Sequence, residues 1–278
     1  MSPPADGSLF DDDWLTLREP VDHASRAHGL AEQAARWLAR YALPTVVDLG
    51  TGSGSNLRYL APYLGPDTRW RLVDHDEKLL ARVASRSGQA INQTVATEAR
   101  DLAHELPAAI AGGDLITASA LLDLVSQAWL TRLCAQAATQ RSAVLMTLSV
   151  DGHIRFDGQT EADDAALLAA LARDQRRDKG LGMALGTAAP AALINELARH
   201  GYAVTAQPAV WHLGPQRAAL AHALLTGWAR AAGAALPEHA ERFTAWATRR
   251  SADVAAGRTV IRVGHVDVLG LPGRDFGG

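Results

Sequence analysis

The chain has 278 residues, 48% hydrophobic and 21% charged, a composition that supports a globular core and excludes a disordered or fibrous protein. A formal charge of −3 gives no electrostatic reason to expect a nucleic-acid partner, which usually meets a basic surplus or stripe. The single cysteine, Cys134, makes neither an intramolecular disulfide nor a multi-thiolate metal site, which fits a reducing, cytoplasmic compartment, and no apolar run reaches the length of a membrane span.

Residues 1–13 are rich in Pro, Gly, Ser and Asp and read as a mobile leader, with no basic stretch and apolar run to mark secretion. Leu30, Ala34, Trp37, Leu38 and Tyr41 recur at helical spacing within 25–42. From there strand-like and helix-like segments alternate: 45–49 and 55–64, 70–73 and 77–85, 91–96, 115–118 and 127–139, then 143–150. That order predicts a doubly wound, mainly parallel α/β sheet. Pro62 inside 55–64 predicts a kink or a short helix. Residues 151–186 are polar, carry a helix near 162–175 and end in a basic, glycine-rich turn, so they read as an inserted lid over the carboxyl edge of the sheet. A helix at 189–200, a strand at 202–205, two alanine-rich helices within 216–257 and a strand-like run at 258–270 complete the chain. The expected organisation is one domain: leader and helix (1–44), core (45–150), lid (151–186), and C-terminal helices and end strands (187–278).

The stretch "VVDLGTGSGSN" places Gly50, Gly52 and Gly54 at the first strand-to-helix turn, where an open parallel sheet cradles its ligand. Glycines there take positive φ and let the backbone approach a ligand closely. A dinucleotide fingerprint is GxGxxG, but here Asp48 precedes alternating glycines, and an acid at the turn repels a pyrophosphate while suiting a cationic amine. In these residues the chain resembles the class I S-adenosylmethionine-dependent methyltransferase family over 45–150. The resemblance implies a seven-stranded Rossmann-like sheet with an antiparallel end pair and S-adenosylmethionine as cofactor. It implies that Asp48 and the three glycines form the first motif and that Asp74, beside His75, binds the ribose hydroxyls. Asp101 and Leu102 resemble the adenine-contacting pair, and Ser119 closes the fourth strand. Taken singly, Asp74 could instead cap the next helix and Asp101 could be a solvated loop acid.

Methyl transfer asks the protein to align an acceptor and exclude water, with a base only where the acceptor has a proton to lose. Asp123 in "ASALLDLVS" matches the position where small-molecule members of the family face the acceptor, or else caps the next helix. His153, an imidazole able to take up a proton, is the second candidate base, or a solvated loop histidine. Trp14, Arg18 and Glu19 in the N-terminal segment could close over a ligand. Arg177 and Lys179, with Arg176, would suit an acceptor carboxylate or phosphate, or form a solvated face. The expected partner is therefore a small-molecule acceptor, with an anionic group favoured and oxygen preferred over nitrogen or carbon as the methylated atom. Ala118-Ser119-Ala120-Leu121 lacks the Asn/Asp-Pro-Pro-Tyr/Phe run of enzymes methylating base or amide nitrogens. One acid after the fifth strand is too few for a Mg²⁺ site, so no metal is expected. A nicotinamide-dependent oxidoreductase and a non-catalytic S-adenosylmethionine-binding module are the competing readings. The alanine-rich helices could form a homodimer face or pack internally.

Overall fold

The computed structural model describes residues 12–87, 92–174 and 181–273. The elements in chain order are α1 (Asp12–Ser25), α2 (His28–Leu38), β1 (Thr45–Leu49), α3 (Ser55–Leu60), β2 (Arg69–Asp74), α4 (Glu77–Ser87), β3 (Thr94–Ala99) and α5 (Leu106–Ile110). They continue with β4 (Leu115–Ser119), α6 (Gln127–Gln140), β5 (Ala143–Gly158), α7 (Asp164–Asp174), α8 (Ala189–Arg199), β6 (Tyr202–Pro208), β7 (Trp211–Leu213), α9 (Ala218–Ala235), α10 (Ala240–Ala255) and β8 (Thr259–Pro272). The strand order is β3-β2-β1-β4-β5-β8-β6, with β7 on β8. Strands β3, β2, β1, β4 and β5 pair in parallel, whereas β6 and β7 each pair antiparallel with β8. The sheet thus has eight strands among the described residues. The seven expected were one short, because the three-residue β7 is below the length at which alternation can be read.

The chain forms two compact units, the first being Arg26–Asp151, Asp178–Ala209 and Val266–Gly278. Its sheet is covered on both faces, and the period-2 geometry of a strand divides neighbouring residues between two cores. Val47, Ile116 and Val144 enter one cluster with α5, α6 and α8, while Val46, Leu115 and Leu145 enter the other with α2 and α3. This double burial explains why β1 reads as a continuous apolar run. Leu30, Ala31, Ala34, Trp37 and Leu38 supply the buried stripe of α2. As Pro62 implied, α3 stops at Leu60 and a single 3₁₀ turn, Ala61–Tyr63, finishes the segment.

The second unit is Met1–Ser25, Gly152–Arg177 and Val210–His265. Its core joins Trp211, Trp228, Phe243 and Trp246 to the alanine-rich faces of α9 and α10, with Leu167 and Leu171 of α7. Buried Arg250 pairs with Asp164 and lies 4.7 Å over the Phe156 ring. No helix among the described residues is long and apolar enough to cross a membrane.

Three boundaries differ from the sequence reading. The strand expected at 91–96 lies at Thr94–Ala99; β3 is an edge strand with mostly exposed side chains, so hydrophobicity does not mark its ends. Strand β5 runs on from Val150 to Gly158. Ile154 and Phe156 alternate with polar neighbours and pack into the second unit's core, so His153 stands on a strand rather than in a loop. The helix around Trp14, Arg18 and Glu19 begins at Asp12, where charge-rich sequence reads as leader.

Candidate functional site

In the first unit β1 lies between β2 and β4, so strand order reverses beside the carboxyl end of β1, where open sheets bind ligands. The glycine turn stands at this place. Gly50, Gly52 and Gly54 have φ of 62°, 55° and 86°. A side chain at Gly50 would come within 3.2 Å of Leu121 Cδ1, so the exit of β4 packs directly on the turn. The Thr51 N–H donates to Val73 O at 3.1 Å, and Arg58 Nη1 donates to Ser53 O at 2.7 Å. Gly52→Val is expected to abolish S-adenosylhomocysteine binding in calorimetry. A β-branched residue at φ +55° is strained by about 1–2 kcal/mol and fills the approach to the backbone, while circular dichroism should show the fold retained.

Asp48 is 0% exposed. Its Oδ2 accepts from the Thr51 hydroxyl at 2.6 Å and its Oδ1 from Asn56 Nδ2 at 2.7 Å. Burial raises the carboxyl from 3.8 to about 6, against the two hydrogen bonds and the Arg26 charge, which lower it; nearby Asp74 raises it further. Its charge can therefore act on a bound cation by field, not by contact. Asp74, at the end of β2, is 6% exposed. Its Oδ2 accepts the Gly52 N–H at 2.8 Å and its Oδ1 the Asp76 N–H at 3.0 Å, with His75 Nδ1 3.3 Å away. Burial opposes ionisation, but the His75, Asp76 and Gly52 hydrogen bonds outweigh it and hold the carboxyl below the usual range. The exposed His75 ring is raised in turn, chiefly by its bond to Asp74. Helix α4 is capped by Asp76, which accepts from Lys78 N and Leu79 N, so Asp74 remains turned to the glycine turn.

The Arg100 N–H donates to Asp74 O at 2.9 Å, which brings the residues after β3 alongside. Asp101 there is exposed; its Oδ1 accepts the Ala103 N–H at 2.8 Å and its Oδ2 lies 2.7 Å from His104 Nδ1. Leu102 is buried and its carbonyl accepts from Trp129 Nε1 at 2.8 Å. Beyond Ser119, Ala120 has φ 55°, a left-handed conformation that a non-glycine residue rarely holds. Asp123 follows on a 3₁₀ turn, Leu122–Leu124, and is 4% exposed. The helix cap next to it is Ser126, which accepts the Trp129 N–H, so Asp123 is not the cap. Its Oδ1 has no hydrogen-bond partner among the described residues.

The structure thus gathers Asp48, the three glycines, Asp74, His75, Asp101, Leu102, Ser119 and Asp123 at the carboxyl ends of β1 to β4 in one unit. Trp14, Arg18, Glu19 and His153 belong to the other. There Arg18 is buried, bonded through Nε to Asp22 at 2.7 Å and placed 5.3 Å over Trp211. Arg177 and Lys179, with Arg176, lie outside the described residues. Sequence reasoning missed Arg26, Thr51, Asn56, Thr117 and Asp267, all buried around Asp48 or joined to it. A charged residue within the apolar run "GHVDVLG" was the one signal that could have exposed Asp267.

No family model matches the chain, and no curated protein matches it. Among solved structures it is similar to the cyclopropane synthase MmaA2 from Mycobacterium tuberculosis, with a TM-score of 0.51 and 16% identity, covering 94% of each chain. It is also similar to the YcgJ protein from Bacillus subtilis, with a TM-score of 0.50 and 12% identity, covering 89% of this chain and 100% of that one. At these identities the likeness is one of fold.

Proposed function

We propose that this chain, which has the fold of the class I S-adenosylmethionine-dependent methyltransferases, binds S-adenosylmethionine and transfers its methyl group to a small molecule. One observation carries the reading: an ionised, nearly buried Asp74 at the end of β2 is tied to a glycine turn of positive φ at the switch point of the sheet. The donor set fits the cofactor. Asp74 Oδ2 keeps a lone pair beyond its bond to the Gly52 N–H, and at Oδ1, which meets the Asp76 N–H and His75 Nδ1, a second ribose hydroxyl would take the place of the exposed His75 ring. Negative field from Asp48 suits the amine and sulfonium of this cofactor and opposes a pyrophosphate.

When bound, S-adenosylmethionine supplies a methyl group on a sulfonium; the remaining work belongs to the chain. Asp74 orients the ribose, the glycine turn admits close approach, and Leu121 covers that turn beside the exit of β4. Asp123 is the group to take a proton from an acceptor hydroxyl, because a buried carboxylate oxygen with no partner among the described residues is costly unless a ligand uses it. Oxygen is therefore the preferred acceptor atom. A screen of metabolite pools with labelled S-adenosylmethionine should place the label in one small compound; label confined to large RNA or protein would overturn the small-molecule assignment. With that compound, Asp123→Asn should lower kcat by about 10²–10⁴-fold with the affinity for S-adenosylhomocysteine nearly unchanged. Full turnover by the variant would remove Asp123 as the base. Tighter binding of NAD than of S-adenosylhomocysteine would replace methyl transfer by nicotinamide chemistry.

A further inference from the structure

Beneath the glycine turn runs a buried polar chain that joins Asp48 to the fifth strand. Arg26, 4% exposed, lies between α1 and α2. Its Nη1 donates to Asn56 Oδ1 at 3.0 Å, its Nε stands 3.7 Å from Asp267 Oδ2, and its guanidinium carbon sits 4.0 Å over the Tyr59 ring. A guanidinium accepts no hydrogen bond, so it fixes which end of the Asn56 amide faces it. The Asn56 Nδ2 must then face the other way. It donates to Asp48 Oδ1 at 2.7 Å and to Thr117 Oγ1 at 3.1 Å, and the Thr117 hydroxyl donates to Leu145 O at 2.8 Å. On the far side, Asp267 Oδ2 accepts the Ala27 N–H at 3.0 Å and Oδ1 accepts the Leu148 N–H at 2.7 Å. Leu148 has φ 54°, a conformation a leucine keeps only where its surroundings fix it.

We propose that Arg26 is a positioning residue for the cofactor-binding turn: through Asn56 it orients and helps to ionise Asp48, and Asp267 limits how much of its charge reaches that carboxylate. The inference rests on the methyl-transfer reading only for the ligand that the turn holds. The charged groups acting on Asp48 are Arg26, which favours its ionised form, and Asp74, which disfavours it; Thr51 and Asn56 add hydrogen bonds to the ionised form. Arg26 itself faces Asp267 and the Tyr59 ring. Removing Arg26 therefore makes Asp48 harder to ionise. Removing the Asp267 charge takes a competing counter-charge away from Arg26, and so makes it easier.

The test uses the full chain in two measurements: Asp48 carboxyl titration by carbon-13 NMR without ligand, and calorimetric affinity for S-adenosylhomocysteine across pH. In the wild type both should change near pH 6, with binding lost as pH falls. Arg26→Met should move both midpoints up by about 1 unit or more, and Arg26→Lys should return most of that shift by restoring the charge. Asp267→Asn should move them down, the opposite direction, which a loss of packing alone cannot produce. Thermal melts identify the folded variants; should Arg26→Met fail to fold, Arg26→Lys and Asp267→Asn decide the question by the same shifts. Midpoints of folded variants within about 0.3 unit of the wild type would overturn the proposal. Wild-type protein that bound no S-adenosylhomocysteine at any pH would overturn the methyl-transfer reading, while the carboxyl titrations would still decide whether Arg26 acts on Asp48.

Discussion

Asp74→Ala is expected to weaken S-adenosylhomocysteine binding by about 2–4 kcal/mol, a loss of roughly 30- to 1,000-fold in affinity. The effect has two sources that act together. The substitution removes a nearly buried carboxylate, held below the usual range at the end of β2, and with it the charge-assisted bonds proposed to the ribose hydroxyls. It also releases the Gly52 N–H, now held at 2.8 Å, and the Asp76 N–H at 3.0 Å, so the turn loses its tie to β2. Asp74→Asn separates the two sources. The amide oxygen can still take the Gly52 N–H, and the variant should recover part of the affinity but not the charge-assisted share. Calorimetry checks both variants; an affinity within threefold of the wild type for Asp74→Ala would reduce Asp74 to a brace for the loop.

Asp48→Asn should stabilise the fold at neutral pH and weaken the ligand complex. The wild-type carboxyl is raised from 3.8 to about 6, first by burial. A group whose native value lies above its unfolded one holds its proton more tightly when folded, so its contribution to stability is complete below 3.8 and lost as pH rises through about 6. Above that pH the ionised form costs about 3 kcal/mol relative to the neutral one, at about 1.36 kcal/mol per unit. Asparagine keeps both local bonds, its oxygen accepting from Asn56 and its nitrogen donating to the Thr51 hydroxyl. Urea unfolding should therefore show the variant about 1–3 kcal/mol more stable at about pH 7.5, with the advantage gone near pH 4. The same variant should bind S-adenosylhomocysteine about tenfold more weakly, because the negative field below the turn has been removed. A variant less stable than the wild type at neutral pH would show that the ionised carboxylate supports the fold and does not burden it.

The sequence by itself determined the parallel core and the place of its glycine turn. Val46, Val47 and Leu49 form an apolar run because both faces of β1 are covered, and Gly50, Gly52 and Gly54 mark a turn that requires positive φ. Both signals come from residues next to one another, where covalent geometry and burial leave a direct imprint on composition. Pro62 marked the end of α3 for the same reason. Strand β3 was legible only in outline, since an edge strand with exposed side chains leaves no hydrophobic boundary, and the second half of β5 was hidden by the polar residues that alternate with Ile154 and Phe156. Tertiary structure alone decided which side chains serve the turn. Arg26, Asn56 and Asp267 are separated by up to 241 positions in the chain, from 26 to 267, yet they form one chain of contacts to Asp48, because β1 and β8 belong to one sheet and the start of α2 is tied to Asp267 on β8. Buried polar groups must find partners, and which partners they find depends on how distant segments are packed, a property no local pattern carries. The same packing buried Asp123 with an oxygen that has no partner among the described residues and committed Arg18 to Asp22, giving two charged residues of similar promise in the sequence different surroundings in the fold.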